Sequence, residues 1–312
     1  MSEMAPPDGV GLAGSGSRDR AAGAGQPGSS GLVDLSTSLG ACPIQREALA
    51  VTGPDAEGFL QGQLSQDVAA LTPGQSAWSL ILGPQGRIDA FVRVTRQAAD
   101  RFVIDTDGPL EQVIARLERF MLRTDVALAP LGWRCIAVRG PNAAAAAVSG
   151  VVVGPVPGGG IDVLGPAPAV SQDVPAVAPE LLEAHRIRCG LPRMGVDIDE
   201  RTIPAEAEVV AFTVSFAKGC FTGQELVARM DSRGGNAPRY LRLLTLSGQV
   251  GLASGAPIAS AGGVDAGRVT SAAWDPIAET TVALGYVKRA VEMPAEVLVA
   301  GFSAQAVAVP RR

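Results

Sequence analysis

Near Tyr240 the hydrophobic pattern of this 312-residue chain changes its period, and that change constrains the fold more than any other feature. Beyond it, the short runs Leu241–Leu246, Arg268–Ala272, Thr281–Val287, Glu296–Val299 and Ala304–Val309 alternate with Gly and Pro turns. Such spacing predicts a small all-β barrel over residues 239–312. Before it, helical and strand periods are mixed. Asp55 to Leu71 reads as a helix, with Asp55 as N-cap and Phe59, Leu60, Gln63, Leu64, Val68 and Leu71 on one stripe. A second helix starts at Pro109, with Leu110, Val113, Ile114, Leu117 and Met121 in register. Strands are expected at Ala77–Leu82 and Arg87–Thr95, flanking the turn Gly83-Pro-Gln-Gly86. In the second of these, Ile88, Ala90, Val92 and Val94 are expected on one face and Arg87, Asp89, Phe91 and Arg93 on the other. Trp133–Val138 reads as a further strand and the alanines after Pro141 as a helix; Val153–Gly160 reads as a loop. Pro179–Cys189 reads as a helix stopped by Gly190-Leu-Pro. The fold class is therefore α+β over residues 32–238, followed by the barrel. Residues 1–31, rich in Gly, Ser, Pro and Ala without an apolar period, are expected to be a disordered tail.

Charge and cysteine usage narrow the function classes. With a net charge of −5, the chain has no general attraction for nucleic acid or anionic membrane, so any anion site must be local. Met1–Ser15 has neither the basic nor the apolar region of a secretory signal. The best apolar stretch, Ala143–Val153, falls short of the roughly 18–20 residues of a membrane span and is broken by Ser149-Gly150. A cytoplasmic protein is expected. Cys42, Cys135, Cys189 and Cys220 are scattered without a CxxC pair, and His185 is the single histidine, so no metal site is expected. A Ser–His or Cys–His couple would have to use His185, and none is expected around it.

The segment with most chemical content is Lys218-Gly-Cys-Phe-Thr-Gly-Gln-Glu225, between the apolar stretch Val209–Ala217 and Leu226-Val-Ala-Arg-Met. Its two glycines permit positive φ or close backbone approach, and Thr222 is placed to cap a helix starting near Gly223. A lysine beside helix N-terminal amides can hold an anion. The plainer alternative is a strand-to-helix turn with a buried cysteine, since a free Cys often serves as a small hydrophobe.

This segment resembles the signature of the YgfZ-like proteins, relatives of the aminomethyltransferase (T-protein) of the glycine cleavage system. The stretches Gly53–Asp67, Gly86-Arg-Ile-Asp89, Gly190–Glu200, Thr202–Glu206, Gly267–Ser271 and Ala283–Val287 resemble the family's other motifs in the same order. The resemblance covers roughly residues 32 to 309 and implies an aminomethyltransferase-like fold with tetrahydrofolate, or a derivative, in the first domain. It also implies support for iron–sulfur enzymes, with those enzymes or cluster assembly proteins as partners. Under it, Cys220 and Asp89 are the candidate catalytic residues, Asp89 matching an aspartate that T-proteins use near the folate N5. Lys218, Gly219, Gln224, Glu225, Glu206 and Arg229 are the candidate cofactor-binding residues. Lys218, Arg229, Arg233 and Arg239 together could meet the glutamate tail of folate, or could be solvated helix-face residues. Glu206 could equally be a structural acceptor, and Asp89 an ordinary ion-pair partner of its neighbouring arginines. One position departs from the family: Arg188 stands where T-protein relatives carry a glutamate at the pterin edge, and an always-charged donor cannot replace an acceptor-only carboxylate. Two other functions stay open, a one-carbon transferase acting on a lipoylated carrier and an interaction module that has kept only the fold.

Overall fold

The structure, a computed structural model, describes residues 32–232 and 236–310. The expected tail, residues 1–31, lies outside the described residues. In chain order the elements begin with β1 (Gly40–Ile44), β2 (Glu47–Thr52), α1 (Ala56–Gln63), β3 (Ser76–Leu82), β4 (Ile88–Ala98), β5 (Arg101–Thr106) and α2 (Leu110–Glu118). There follow β6 (Ala127–Leu131), β7 (Arg134–Arg139), β8 (Ala147–Val153), β9 (Ile161–Val170), α3 (Pro179–Arg188), α4 (Val210–Thr213) and α5 (Gln224–Ser232). The last strands are β10 (Arg239–Ser247), β11 (Pro257–Ser260), β12 (Asp265–Asp275), β13 (Thr280–Lys288), β14 (Ala295–Val299) and β15 (Phe302–Ala308).

Three β layers organise these elements. A five-stranded sheet runs β3-β4-β5-β2-β6, a four-stranded sheet runs β1-β7-β9-β8, and β10-β13-β12-β11-β14-β15 close into a barrel. The five-stranded sheet is covered on both faces. Leu49, Val92, Val94 and Ile104 meet Phe59, Leu60, Val113 and Leu117 of α1 and α2. On its other face, Trp78, Leu80 and Phe91 meet Val209, Val214, Phe221 and Val227, so the Lys218–Glu225 segment closes this second core. Ala184 and Ile187 of α3 pack on Leu241, Val282, Leu284 and Tyr286 of the barrel.

Two helix expectations fail for tertiary reasons. The first helix ends at Gln63 instead of Leu71, because Leu64 turns extended and bridges Ile81. Ser65 then donates its N–H to Leu80 O, and its hydroxyl oxygen accepts the Leu80 N–H. Asp55 does not cap the helix with its side chain; its carboxylate accepts the Asp125 N–H instead. The alanine-rich stretch makes only a short 3-10 turn, Ala143–Ala146, before entering β8. There Gly150 takes φ +118°, and a Cβ at that position would stand 2.8 Å from Leu164 O of β9, a strand to which no expectation was attached. The Pro179 helix, the Pro109 helix and the Gly83–Gly86 turn form where expected, with Gly86 at φ +68°.

The faces of β4 also differ from strict alternation. Ile81 pairs with Ala90 and Leu82 with Ile88, so Asp89 is the extra residue of a bulge. The bulge moves Ile88 to the side of Phe91, while Ala90, Val92 and Val94 face the helices.

Candidate functional site

The Lys218–Glu225 segment is held along α1. The Ser65 hydroxyl donates to Thr213 O at 2.6 Å, Ser215 N–H donates to Ser65 O at 3.0 Å, and Thr222 N–H donates to Gly62 O at 3.3 Å. Lys218 is buried, and its Nζ donates to Gln61 O, Leu64 O and Gln66 O at 2.6, 2.6 and 2.9 Å. Burial draws the amine down to about 8, with Asp67 pulling the other way, so at neutral pH it keeps its proton and all three N–H groups. Those three donors are all satisfied by carbonyls of the last turn of α1 and the chain just beyond it, where unpaired carbonyls and the helix dipole favour a cation. An anionic ligand would have to displace one of them.

Phe221 points inward with Lys218, its ring 5.2 Å from Nζ, and its N–H donates to Gln224 Oε1 at 3.2 Å. Between them Gly219 and Cys220 face outward, and Cys220 is exposed. The residues therefore alternate between anchor and presentation. Gly223 is the glycine the backbone requires: φ is +81° and a Cβ there would stand 2.6 Å from Gly83 O. At Gly219 a Cβ would meet nothing within 4 Å. The helix begins at Gln224, past Thr222, and Glu225 and Arg229 lie on its exposed side. Arg233 lies outside the described residues.

Asp89 is brought to the same neighbourhood by the Gly83–Gly86 turn, which packs under Gly223 and Leu226. Its partner is neither Arg87 nor Arg93. Arg116 of α2 donates Nε to Asp89 Oδ2 at 3.2 Å, Nη1 to Gln63 Oε1 and Nη2 to Leu82 O. Glu206 lies elsewhere, at the barrel: it is buried, 3.3 Å from Arg239 Nη2, and its carbonyl accepts the Leu241 N–H. Arg239 in turn lies 4.4 Å over the Tyr286 ring, so Arg239 and Lys218 do not form one cationic cluster.

A buried ionic ladder between the two open sheets was not anticipated. Arg46 and Arg93 both bind Asp105, and Arg93 and Arg139 both bind Asp162. Arg93 and Asp105 are 1% and 0% exposed at the side chain, so the pairing is what makes their burial tolerable. Burial pushes Asp162 up, but Arg139 and Arg93 outweigh it and hold the carboxyl well below the usual range. Alternation within β4 and β5 placed these charges on one face; only the second sheet decided that the face is buried.

Beside the ladder, Trp78 stacks on Phe91 with centroids 4.9 Å apart, and Phe212 stands edge-on to both. Arg93 and Arg46 lie 5.1 and 5.7 Å over the indole. Two buried atoms here have no hydrogen-bond partner, Trp78 Nε1 and Asp107 Oδ1. Arg46 joins them, since its Nη1 is 4.0 Å from Asp107 Oδ2. Burial raises the Asp107 carboxyl against the pull of Arg46. An unused indole donor and an unused carboxyl oxygen, both on residues close to Arg46, are the donor and acceptor types that the edge of a pterin would pair with.

His185 does have a cysteine close by. Cys189, one helical turn on, has its Sγ 3.6 Å from His185 Nε2, an i,i+4 pairing that was visible in the sequence. Burial, then Arg139 and Arg188, hold the imidazole down to about 4. The imidazole therefore rests neutral at pH 7. Arg188 itself donates to Asp275 Oδ2 at 2.9 Å and lies 3.7 Å from Asp34, joining α3 to the barrel. Among the described residues no group of three or more His, Cys, Asp and Glu side chains could hold a metal.

A family model described as the GCVT N-terminal domain matches residues 38–151. The chain is 26% identical over 211 residues to a tRNA-modifying protein YgfZ of Photorhabdus laumondii, covering 59% of this chain and 64% of that one. It is 29% identical over 212 residues to an iron-sulfur cluster assembly factor IBA57 homolog, mitochondrial, of Mycosarcoma maydis, covering 61% and 53%. The chain thus spans less than two thirds of either relative's length. The crystal structure of the glycine cleavage system aminomethyltransferase T from Bartonella henselae superposes with a TM-score of 0.72 at 24% identity, over 88% of this chain and 86% of that one. That likeness shows an aminomethyltransferase-like fold.

Proposed function

The chain is a YgfZ-like relative of the aminomethyltransferase (T-protein), and from that premise we propose that it is a folate-binding accessory protein supporting assembly or repair of iron–sulfur clusters in client enzymes. The observation that carries the reading is Cys220: of four free cysteines, two are buried, Cys189 is half-buried, and this one alone is exposed, on a loop anchored at both ends. A thiol presented this way suits a transient contact with a cluster or sulfur species, since one cysteine cannot complete a four-thiolate site. The name of the IBA57 relative, an iron-sulfur cluster assembly factor, supports the same direction, while the YgfZ relative is named for tRNA modification. The working place on this reading is the cytoplasm; no described helix is long and apolar enough to cross a membrane.

Trp78 and Asp107 would hold the pterin, the indole by its N–H and the carboxyl by Oδ1, with Phe212 edge-on beside the indole. Bound there, tetrahydrofolate would supply a reduced ring able to carry a one-carbon unit. Arg188 is engaged with Asp275, so the pterin-edge contact falls to a different acid, and Asp107 is that acid. The transferase alternative is weaker, because Asp89 Oδ2 is occupied by Arg116.

A strain carrying Cys220→Ala is expected to lose activity of its cluster-dependent enzymes, while the purified variant unfolds like the parent. Normal enzyme activity in that strain would sink the reading. Tetrahydrofolate should change tryptophan fluorescence saturably, and Trp78→Phe should remove most of the change. A linear response would favour an interaction module that keeps only the fold.

A further inference from the structure

We propose that Lys218 is a positioning residue that fixes the Cys220 loop, and that its ammonium never meets the ligand. The proposal rests on the reading of Cys220 as the working thiol. Three backbone oxygens from one stretch, Gln61 O, Leu64 O and Gln66 O, converge on Nζ across more than 150 residues of chain. The helix α1 stops at Gln63 because Leu64 leaves to bridge β3, so these carbonyls have lost the helical partners that a longer helix would have provided. An ammonium offers three tetrahedrally arranged N–H donors to three acceptors; a guanidinium offers a planar fork and cannot converge on them in the same way.

The consequence reaches Cys220 through two residues. Lys218 and Phe221 are drawn inward, one to the α1 terminus and the other into the apolar core, and the Gly219–Cys220 pair between them is forced outward. The flanking bonds, Ser215 N–H to Ser65 O and Thr222 N–H to Gly62 O, fasten the ends of the same loop to the stretch where α1 ends. With the middle anchor gone, buried carbonyls lose their partner and the loop opens toward water, a local opening that amide exchange reads.

The chain has two lysines, Lys218 and Lys288, and the second is an internal standard, being exposed in a surface pair with Asp265. On the full wild-type protein, acylation by an N-hydroxysuccinimide ester should modify Lys288 at least roughly tenfold faster than Lys218, and saturating tetrahydrofolate should leave the Lys218 rate unchanged. Equal rates, or protection of Lys218 by folate, overturn the proposal. In Lys218→Met and Lys218→Arg, deuterium exchange of the Ser215 and Thr222 amides should rise by about an order of magnitude, with the Leu241 amide in the barrel unaffected. Site-resolved alkylation of Cys220 should change in both variants while tetrahydrofolate affinity stays within roughly threefold of the parent. A tenfold affinity loss in either variant, or unchanged exchange at both amides, is the contrary result. The acylation experiment needs no variant to fold. Should Cys220→Ala leave cluster enzymes normal, the functional reading fails while these measurements still decide what Lys218 does.

Discussion

His185 sits at 4% exposure with Arg139 and Arg188 near it, and its imidazole is held at about 4 against an ordinary 6.5. Between those values the unfolded chain binds a proton that the folded chain refuses, so the contribution is complete above about 6.5 and fades as pH falls toward 4. The difference is on the order of 3 kcal/mol. His185→Gln should therefore flatten the decline of urea-unfolding stability over that window. Asp107, with its raised carboxyl, titrates with the opposite sign but does so in both proteins, and an unchanged decline would refute the assignment. The ladder arginine gives a second residue-scale expectation. Arg93→Met leaves Asp105 and Asp162 buried with Arg46 and Arg139 alone, and should cost about 3 kcal/mol or more. By contrast Arg268→Ala removes a pair that is more than half exposed on both sides, and its loss should be far smaller. Similar losses in the two variants would mean that burial is not what distinguishes them.

At the scale of elements, the junction between the Gly83–Gly86 turn and the start of α5 is the tightest feature near the site. Gly223 combines φ +81° with a Cβ position 2.6 Å from Gly83 O, and Gly86 combines φ +68° with one 2.6 Å from Leu226 Cβ. Gly195 has a comparable φ of +76° but open space around it. Gly195→Ala should thus cost only the left-handed backbone penalty of about 1 kcal/mol, whereas Gly223→Ala adds a clash with backbone and should cost clearly more. Thermal unfolding of the two variants compares them directly; equal shifts would remove the packing argument. The same junction shows why two sequence expectations went astray. A helical stripe through Leu71 was present, but Leu64 gains more by pairing with β3 than by extending α1, and strict alternation in β4 could not reveal the bulge at Asp89.

Across the whole molecule, α3 carries the charges that tie the open sheets to the barrel. Arg186 reaches Glu183, Asp197 and Ser271, and Arg188 reaches Asp275 and Asp34. Restoring the family's acid with Arg188→Glu should not create a pterin contact. It places a third carboxylate beside Asp34 and the buried Asp275, and should cost about 3 kcal/mol with no gain in tetrahydrofolate affinity. Tighter folate binding by that variant would show that the position still faces the ligand. The division of labour between sequence and structure follows from the range of the forces involved. Periodicity, Gly and Pro turns and the Lys218–Glu225 motif determined the α+β order, the closing barrel, the family and the presence of Cys220 in a turn before a helix, because those depend on neighbours a few residues apart. Contacts between residues from 12 to 157 positions apart decided the rest. They turned Lys218 into an anchor with no free donor, paired Asp89 with Arg116 instead of its strand neighbours, and buried Arg93, Asp105 and Asp162 as a ladder beside the unused Trp78 Nε1 and Asp107 Oδ1. Whether a charged side chain meets water, a carbonyl or an opposite charge is set by what packs over it, and the covering element lies far away in the chain.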